Sequence, residues 1–230
     1  MHPLYTKHSV MTSSVMNAEE FLSEVKEGRR DFTGLVMESA TLGAEVREYF
    51  ATEAPTLKCN PLILSRAHLG GIVARDMQIP FLQAEGADFS EADLTGSCFD
   101  FAFMRGVGLE RAKLESVSMK FADMHAAFLH HAICDNAMMR GAYLHGAIAE
   151  NASFVGADFE QAALDRIFAR RACFDNANMA VADLRYANLQ LASFERSCVD
   201  GADIFRALII EAAITEEQLE VAKNSKYAYR

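Results

Sequence analysis

The chain has 230 residues, enough for one domain with a small appendage, and 51% of them are hydrophobic, which provides for a sizeable core. Its formal net charge of −10 disfavours direct binding to the phosphate backbone of nucleic acids. Its five cysteines form no CxxC pair, and no secretory signal or long apolar run is present. We therefore expect reduced thiols, a cytoplasmic location and no membrane span.

The first predicted helix lies at residues 17–30 and follows residues 1–16, which we expect to form a flexible arm. Asn17 and Glu20 have the spacing of a capping box, and Gly28 stands where such a helix would end. This pattern predicts a helix that caps the N-terminal end of the fold.

Residues 31–61 are predicted to be degenerate first repeats with an insertion. Large apolar residues recur every five positions up to Leu42 and resume at Leu64, two residues out of phase. The insertion spans about residues 43–60 and can hold a short helix that ends before Pro55. It is either a bulge that restarts the repeat or a loop that carries function.

A five-residue repeat dominates the rest of the sequence. From Ala87 to Ala212 every fifth residue is small, being Ala at 21 of 26 positions, and a larger apolar residue usually follows two positions later. A period of five fits neither a helix nor a strand. It predicts a coil in which these two side chains point inward, and the same phase extends the repeat to residues 62–214.

Individual units have a recognisable form. Residues 87–91 (ADFSE) and 182–186 (ADLRY) resemble the A(D/N)LXX unit of the pentapeptide-repeat family. The resemblance covers more than half of the chain. It implies an all-β fold, a right-handed quadrilateral β-helix (pentapeptide-repeat solenoid) with four units per coil, so that residues 20 apart stack.

Stacking at this interval predicts how the core is filled. Ala149 and Ala169 replace the usual large inward residue and would lie one above the other. Phe154, Phe174 and Phe194 follow on the next side and would form a column that fills the space left by the alanines.

The C-terminal end also carries a helix signal. Thr215 and Gln218 form a second capping box, with Ile214 and Leu219 as a hydrophobic staple. We expect a short helix to about residue 224 within a C-terminal cap and tail, residues 215–230.

Nothing in the sequence resembles a catalytic, cofactor or metal motif. The aspartates recur at the second, outward position of the unit, which the repeat explains. His125 and His145 would stack, with His130 and His131 one side further on, and such a flat row does not suit tetrahedral zinc. They are interpreted as surface histidines, with a pH-sensitive patch as the alternative.

The candidate interaction surface consists of outward apolar residues. Some stand 20 apart on one side, others on the preceding side: Phe128, Ile148, Phe168 and Leu208, then Phe103 and Tyr143. Phe101 and Phe121 lie near a corner. Exposed apolar rows indicate a protein partner or a homodimer. The alternatives are cover by the 43–60 insertion or by the N-terminal arm, or the preference of strands for aromatic residues.

The sequence therefore predicts a non-catalytic scaffold for protein–protein interaction, with an unknown protein partner and no cofactor. Some family members mimic duplex DNA and bind type II topoisomerases, which makes a gyrase-binding mimic that modulates quinolone sensitivity the first alternative. Residues 87–214 hold 18 acidic and 11 basic residues, an acidic but mixed surface. An enzyme with a site beneath the 43–60 insertion is the second alternative.

Overall fold

The computed structural model describes residues 15–37 and 40–230. They wind into a solenoid in which the central residue of each side forms a parallel bridge with the residue 20 positions later, as Asp88 does with Gly108. Such bridges recur every five residues, so each coil has four sides. We number the sides by their bridging residues in one coil: side 1 (Phe103), side 2 (Gly108), side 3 (Lys113) and side 4 (Ser118).

The β-structure differs in detail from a stack of ordinary strands. Within the described residues each side contributes an isolated bridge, and no longer strand is present. The reason is the length of the side, since only three residues separate consecutive two-residue turns. The right-handed sense of winding remains a prediction from the family resemblance.

The corners force the chain into an uncommon conformation. The second residue of nearly every turn has a positive φ, even the β-branched Val181 at 59°. A hydrogen bond closes nearly every turn, as from the Ala87 N–H to the Ala84 carbonyl oxygen at 3.1 Å. Left-handed conformations are strained for most residues other than glycine, and the bridges on both sides of each corner hold the chain there.

The Asp or Asn at the second position of the unit stabilises the corner that follows it. Its side-chain oxygen accepts a hydrogen bond from the backbone N–H two residues later, in the turn. Asp158 accepts from Glu160 at 3.1 Å, and Asp203 accepts from Phe205 at 3.0 Å. Such Asx turns satisfy a backbone donor that the coil leaves free.

Where serine stands at this position, a carboxylate of the preceding coil caps the corner instead. Asp135 accepts hydrogen bonds from the Ser153 hydroxyl and from the Val155 N–H, 20 residues ahead of it. Asp100 and Asp175 make the equivalent contacts with the coil that follows each of them. The corners that follow Asp, Asn or these serines are thus capped by one of two arrangements.

The interior is filled as the repeat predicts, with the small and large inward side chains of the repeat almost completely buried. Phe154, Phe174 and Phe194 stack with successive ring centroids 5.2 Å apart. Ala149 and Ala169 are fully buried in the same region. The predicted aromatic column is confirmed.

The N-terminal end is closed first by helix α1, Ala18–Lys26. Both hydrogen bonds of the predicted capping box between Asn17 and Glu20 are present, and Gly28 follows the helix with φ of 99°. Residues 1–14, the greater part of the arm predicted at residues 1–16, lie outside the described residues. The last two residues of that arm, Val15 and Met16, belong to the fold, since Val15 bridges to Val36 and Met16 is buried.

Helix α2, Ala44–Glu53, lies within the predicted insertion and replaces one side of the first coil. Asp31 bridges to Ile63, 32 positions away and 12 more than a regular coil requires, which accounts for the phase shift of two. Val46, Phe50 and Leu57 are buried in the core at this end. The insertion is therefore part of the N-terminal cap.

Helix α3, Glu216–Val221, caps the other end and contains the predicted capping box. The Gln218 side-chain amide donates to the carbonyl oxygens of Phe194 and Ser197, at 2.8 and 2.9 Å, and so ties the helix to the last coil. The helix ends earlier than expected because the chain rejoins the solenoid, where Lys223 bridges to Asp203. A 3-10 helix, Ser225–Tyr227, follows.

Candidate interaction surface

An apolar row lies on the outside of side 2. Phe128 bridges to Ile148, and Ile148 bridges to Phe168, so the three side chains occupy successive coils. Phe128 is 39% exposed and Phe168 is 53% exposed, while Ile148 is half-buried. We call these three residues the apolar stripe. The structure places them facing outward, as the alternation along the repeat predicts.

Leu208 does not belong to this continuous row. Asn188 separates it from Phe168, and the C-terminal tail pairs with it through a bridge to Tyr229. Leu208 is half-buried as a result.

Side 1 adds two exposed rings beside the stripe. Phe103 is 55% exposed and Tyr143 is 47% exposed, but Asp123 lies between them on the intervening coil. The corner between sides 1 and 2 carries glycine at Gly106 and Gly146, where an added Cβ would meet no atom within 4 Å. These two glycines leave space at that corner on two of the coils, while His125 and His145 occupy its other position.

A third aromatic group stands on the corner before side 1. The rings of Phe81, Phe101 and Phe121 stack with centroids 5.3 and 5.4 Å apart, and the latter two are exposed. The Phe121 ring continues over Gly141, where any Cβ would clash with it. The expected corner position of Phe101 and Phe121 agrees with the structure, whereas their stacking with Phe81 is not among the expectations, although the spacing of 20 contains the signal.

The 43–60 insertion does not cover the stripe. Its apolar residues Val46, Phe50 and Leu57 are buried at the N-terminal end, and the ring of Phe50 lies 6.3 Å from that of Phe21 in helix α1. The expectation that the insertion covers these residues is wrong, because the insertion completes the first coil instead. Cover by residues 1–14 falls outside the described residues.

The histidines stack as predicted but are engaged by carboxylates. The ring centroids of His125 and His145 lie 5.7 Å apart. Their Nδ1 atoms contact Asp123 at 2.5 Å and Asp165 at 2.6 Å. Nowhere in residues 15–37 and 40–230 do three or more His, Cys, Asp or Glu side chains converge in a way that could hold a metal ion.

Other carboxylates form ion pairs across the coils. Hydrogen bonds from Arg75 hold the pKa of Asp93 below its usual value. Burial alone would raise the pKa of Asp123, but hydrogen bonds from His125 and Arg105 outweigh it and lower that pKa. These acids serve the fold, and such pairing is the opposite of what a general acid needs.

The interior offers little room for a substrate. A cavity of about 30 Å³ at the N-terminal end is lined by apolar side chains, among them Phe21, Leu35 and Leu62. This is about the volume of one water molecule. All five cysteines are free thiols, and burial raises the pKa of Cys134, which makes that thiol unreactive.

Comparison with protein families identifies the repeat. The model described as "Pentapeptide repeats" matches in eight copies, over residues 83–110, 122–161 and 169–201. The chain belongs to the pentapeptide-repeat family. No curated protein matches the sequence. Within the described residues of this pentapeptide-repeat protein, no helix combines the length and the apolar character needed to cross a membrane.

Several solved pentapeptide-repeat structures are similar to the chain. One, from the Arabidopsis thaliana thylakoid lumen, is 27% identical over 44% of this chain and 72% of its own, with a TM-score of 0.38. HetL, involved in heterocyst differentiation regulation in the cyanobacterium Nostoc, is 20% identical over 93% and 94%, with a TM-score of 0.40. QnrB1, a plasmid-mediated fluoroquinolone resistance protein, is 17% identical over 70% and 84%, with a TM-score of 0.37.

Proposed function

We propose that this pentapeptide-repeat protein is a non-catalytic scaffold that binds a partner protein through the apolar stripe and the adjoining rings of Phe103 and Tyr143. One observation carries the proposal. The stripe occupies the second position of the repeat unit, where Asp or Asn caps the corner in several other units, and large apolar residues stand there in three successive coils.

This replacement has a cost in the isolated protein. Phe128, Ile148 and Phe168 provide no oxygen for the turn N–H groups, and large apolar side chains left in water each forgo roughly 1.5–3 kcal/mol of burial. Contiguous exposed apolar area is typical of binding surfaces. A bound partner would recover that burial.

The remaining chemistry supports binding and offers no support for catalysis. Described carboxylates such as Asp93, Asp135 and Asp158 hold corners or pair with arginines. The free thiols support a reducing compartment such as the cytoplasm. A second copy of the chain is the alternative occupant of the stripe.

Site-specific photo-crosslinking tests the proposal. A photoreactive benzophenone amino acid is placed at position 168 in the stripe or, as a control, at position 133. Ile133 is an exposed apolar residue on side 3, where it is flanked on the neighbouring coils by Lys113 and Ser153. We expect position 168 to give one dominant cross-linked product in extract of the source cells, and position 133 to give none.

The identity of the product decides between the two occupants. A heterologous protein supports the scaffold, and a cross-linked dimer supports self-association. The proposal fails if positions 168 and 133 give the same products or if neither reacts. With the photoreactive residue kept at position 168, Phe128→Ser with Ile148→Ser should abolish the product while the circular dichroism spectrum stays unchanged, because both side chains face outward.

A further inference from the structure

We propose that the segment bound by the apolar stripe is an acidic amphipathic helix, which places its apolar side chains on the stripe and its carboxylates against the arginines that flank it. This inference rests on the proposed function, because it assumes that the stripe binds a protein. It adds the charge and the secondary structure of the partner.

The first argument is the unpaired positive charge beside the stripe. Arg166 and Arg171 lie on the two corners that bound side 2 next to Phe168, and both are exposed. Neither forms an ion pair with any carboxylate of the described residues, whereas Arg170 contacts Glu150 at 3.5 Å. Arg166 lies over the ring of Tyr186, at 5.7 Å from its centroid, which leaves its hydrogen-bond donors available. Guanidinium groups on either side of an apolar ring are suited to carboxylates of a partner.

The second argument is the local charge balance. The three outward segments around the stripe are residues 125–131, 145–151 and 165–171. They contain three arginines, two carboxylates and four histidines, a net charge of +1 with neutral histidines, in a chain of net charge −10. Charges beyond about 8 Å are largely screened at physiological salt. Asp123 contacts His125 at 2.5 Å and offsets this single net charge, so the positive charge nearest to a bound segment is that of Arg166 and Arg171.

The third argument is the orientation of the flanking residues. His131, Asn151 and Arg171 are corner residues 20 apart with φ of 57°, 59° and 58°. Their common backbone conformation directs the three side chains the same way along one edge of side 2. These three residues present donors to a partner, and the one carboxylate of the same edge, Glu150, contacts Arg170 at 3.5 Å.

The backbone of side 2 excludes binding by strand addition. The Phe168 N–H donates to the Ala147 carbonyl oxygen at 2.9 Å, and the Phe168 carbonyl oxygen accepts from the Ala149 N–H at 2.7 Å. Both groups are already used within the solenoid. A partner must therefore be recognised through side chains.

A helix along the solenoid axis fits the spacing of the side chains. Neighbouring coils are about 4.8 Å apart, and a helix advances about 5.4 Å per turn. Such a helix can place one apolar side chain against each coil of the stripe. A shallow depression of about 220 Å³, lined by Ile148, Phe168 and Asn188 with Glu150 and Arg170, offers a place for one of them.

Synthetic peptides test this inference with the purified full-length protein. The probe is a fluorescent helical peptide with leucines on one face and glutamates beside them, compared with a peptide that has lysine at every glutamate position. We expect the glutamate peptide to bind at least tenfold more tightly in fluorescence anisotropy. Replacing its leucines by serine, or introducing Phe128→Ser with Phe168→Ser in the protein, should abolish binding.

Charge reversal on the protein provides the specific control. Arg166→Glu with Arg171→Glu should weaken binding of the glutamate peptide at least tenfold and strengthen binding of the lysine peptide. Arg66→Glu with Arg196→Glu changes corner arginines away from the stripe and should have little effect. Unchanged circular dichroism of both double variants shows that they are folded.

The outcomes separate this inference from the proposed function. Equal or tighter binding of the lysine peptide overturns the acidic partner, but the scaffold stands if binding depends on the stripe. Cross-linking from position 168 without binding of either peptide overturns the acidic helix alone. Failure of both experiments overturns both. Tighter binding of single-stranded oligothymidylate than of either peptide would replace the protein partner by a nucleic acid.

Discussion

Asp175 caps the corner of the next coil by accepting a hydrogen bond at 2.9 Å from the backbone N–H of Glu195, 20 residues ahead in the sequence. The same carboxylate accepts from the Ser193 hydroxyl. One acidic side chain thus connects two coils outside the core, and its charged form stabilises that contact.

This contact predicts a pH dependence of stability. Burial alone would raise the pKa of Asp175, but the hydrogen bonds from Ser193 and Glu195 outweigh it and lower the pKa. Because the folded-state pKa lies below the unfolded-state value of about 3.9, the charged form stabilises the fold above that pH. This contribution is lost as the pH falls through the folded-state pKa.

We expect Asp175→Asn to lower the free energy of unfolding by about 1 kcal/mol at neutral pH. It should also make the urea midpoint less dependent on pH in the acid range. Asp200→Asn is the control, because Asp200 is exposed and accepts no side-chain hydrogen bond from the described residues. Parallel pH profiles for the wild type and Asp175→Asn would contradict the capping role.

The aromatic column predicts a contrast between two phenylalanines of one coil. Phe174 is fully buried between the rings of Phe154 and Phe194, whereas Phe168 faces outward. Phe174→Ala should destabilise the fold by about 3–5 kcal/mol because it leaves a cavity. Phe168→Ala should change stability by less than about 0.5 kcal/mol. Chemical denaturation measures both, and similar losses would show that the stripe supports the fold.

The inward alanine positions predict a sharp limit on size and charge. Ala157 is fully buried. Ala157→Arg should prevent folding, because an unpaired buried charge costs several kcal/mol or more, much of the stability of a typical domain. Gln161→Arg, on an exposed corner with φ of 61°, should be tolerated, since arginine occupies the equivalent corners at 166 and 171. Circular dichroism of the purified variants distinguishes the two outcomes.

The ion pairs across the coils bear on DNA mimicry. Arg105 contacts Asp123 at 2.6 Å, and Arg140 contacts Glu160 at 3.0 Å, so positive charge interrupts the carboxylates. We expect the protein neither to inhibit gyrase supercoiling nor to protect gyrase from quinolones, even in large molar excess. Assays at low and high salt provide the control. Inhibition of gyrase at low micromolar concentration, weakening as salt is added, would instead support DNA mimicry.

Much of the architecture could be predicted from the sequence because the repeat determines which side chains point inward. The aromatic column, both capping boxes and the extra residues before Leu64 are all visible as breaks or regularities in a period of five. Each depends on spacing along the chain, which the sequence contains directly.

Other features could not be predicted because they depend on how neighbouring coils meet. The capping of one coil by a carboxylate of the preceding coil requires the direction of the corner N–H groups, which spacing alone does not give. The charge pattern near Phe168 is similar. Arg170 and Arg171 are adjacent in sequence, but only Arg170 contacts a carboxylate.

Because each coil has four sides, the core and the surface tolerate insertions and deletions of different lengths. Removing five residues between Phe128 and Ile148 would leave every later side chain correctly inward or outward, so the interior would still close. The same change would rotate all later coils by a quarter turn and transfer Ile148 and Phe168 to another side. Only changes of whole coils, 20 residues at a time, preserve the alignment of the stripe. The fold therefore tolerates a change in length by single repeats, whereas the stripe stays aligned only when the length changes in steps four times as large.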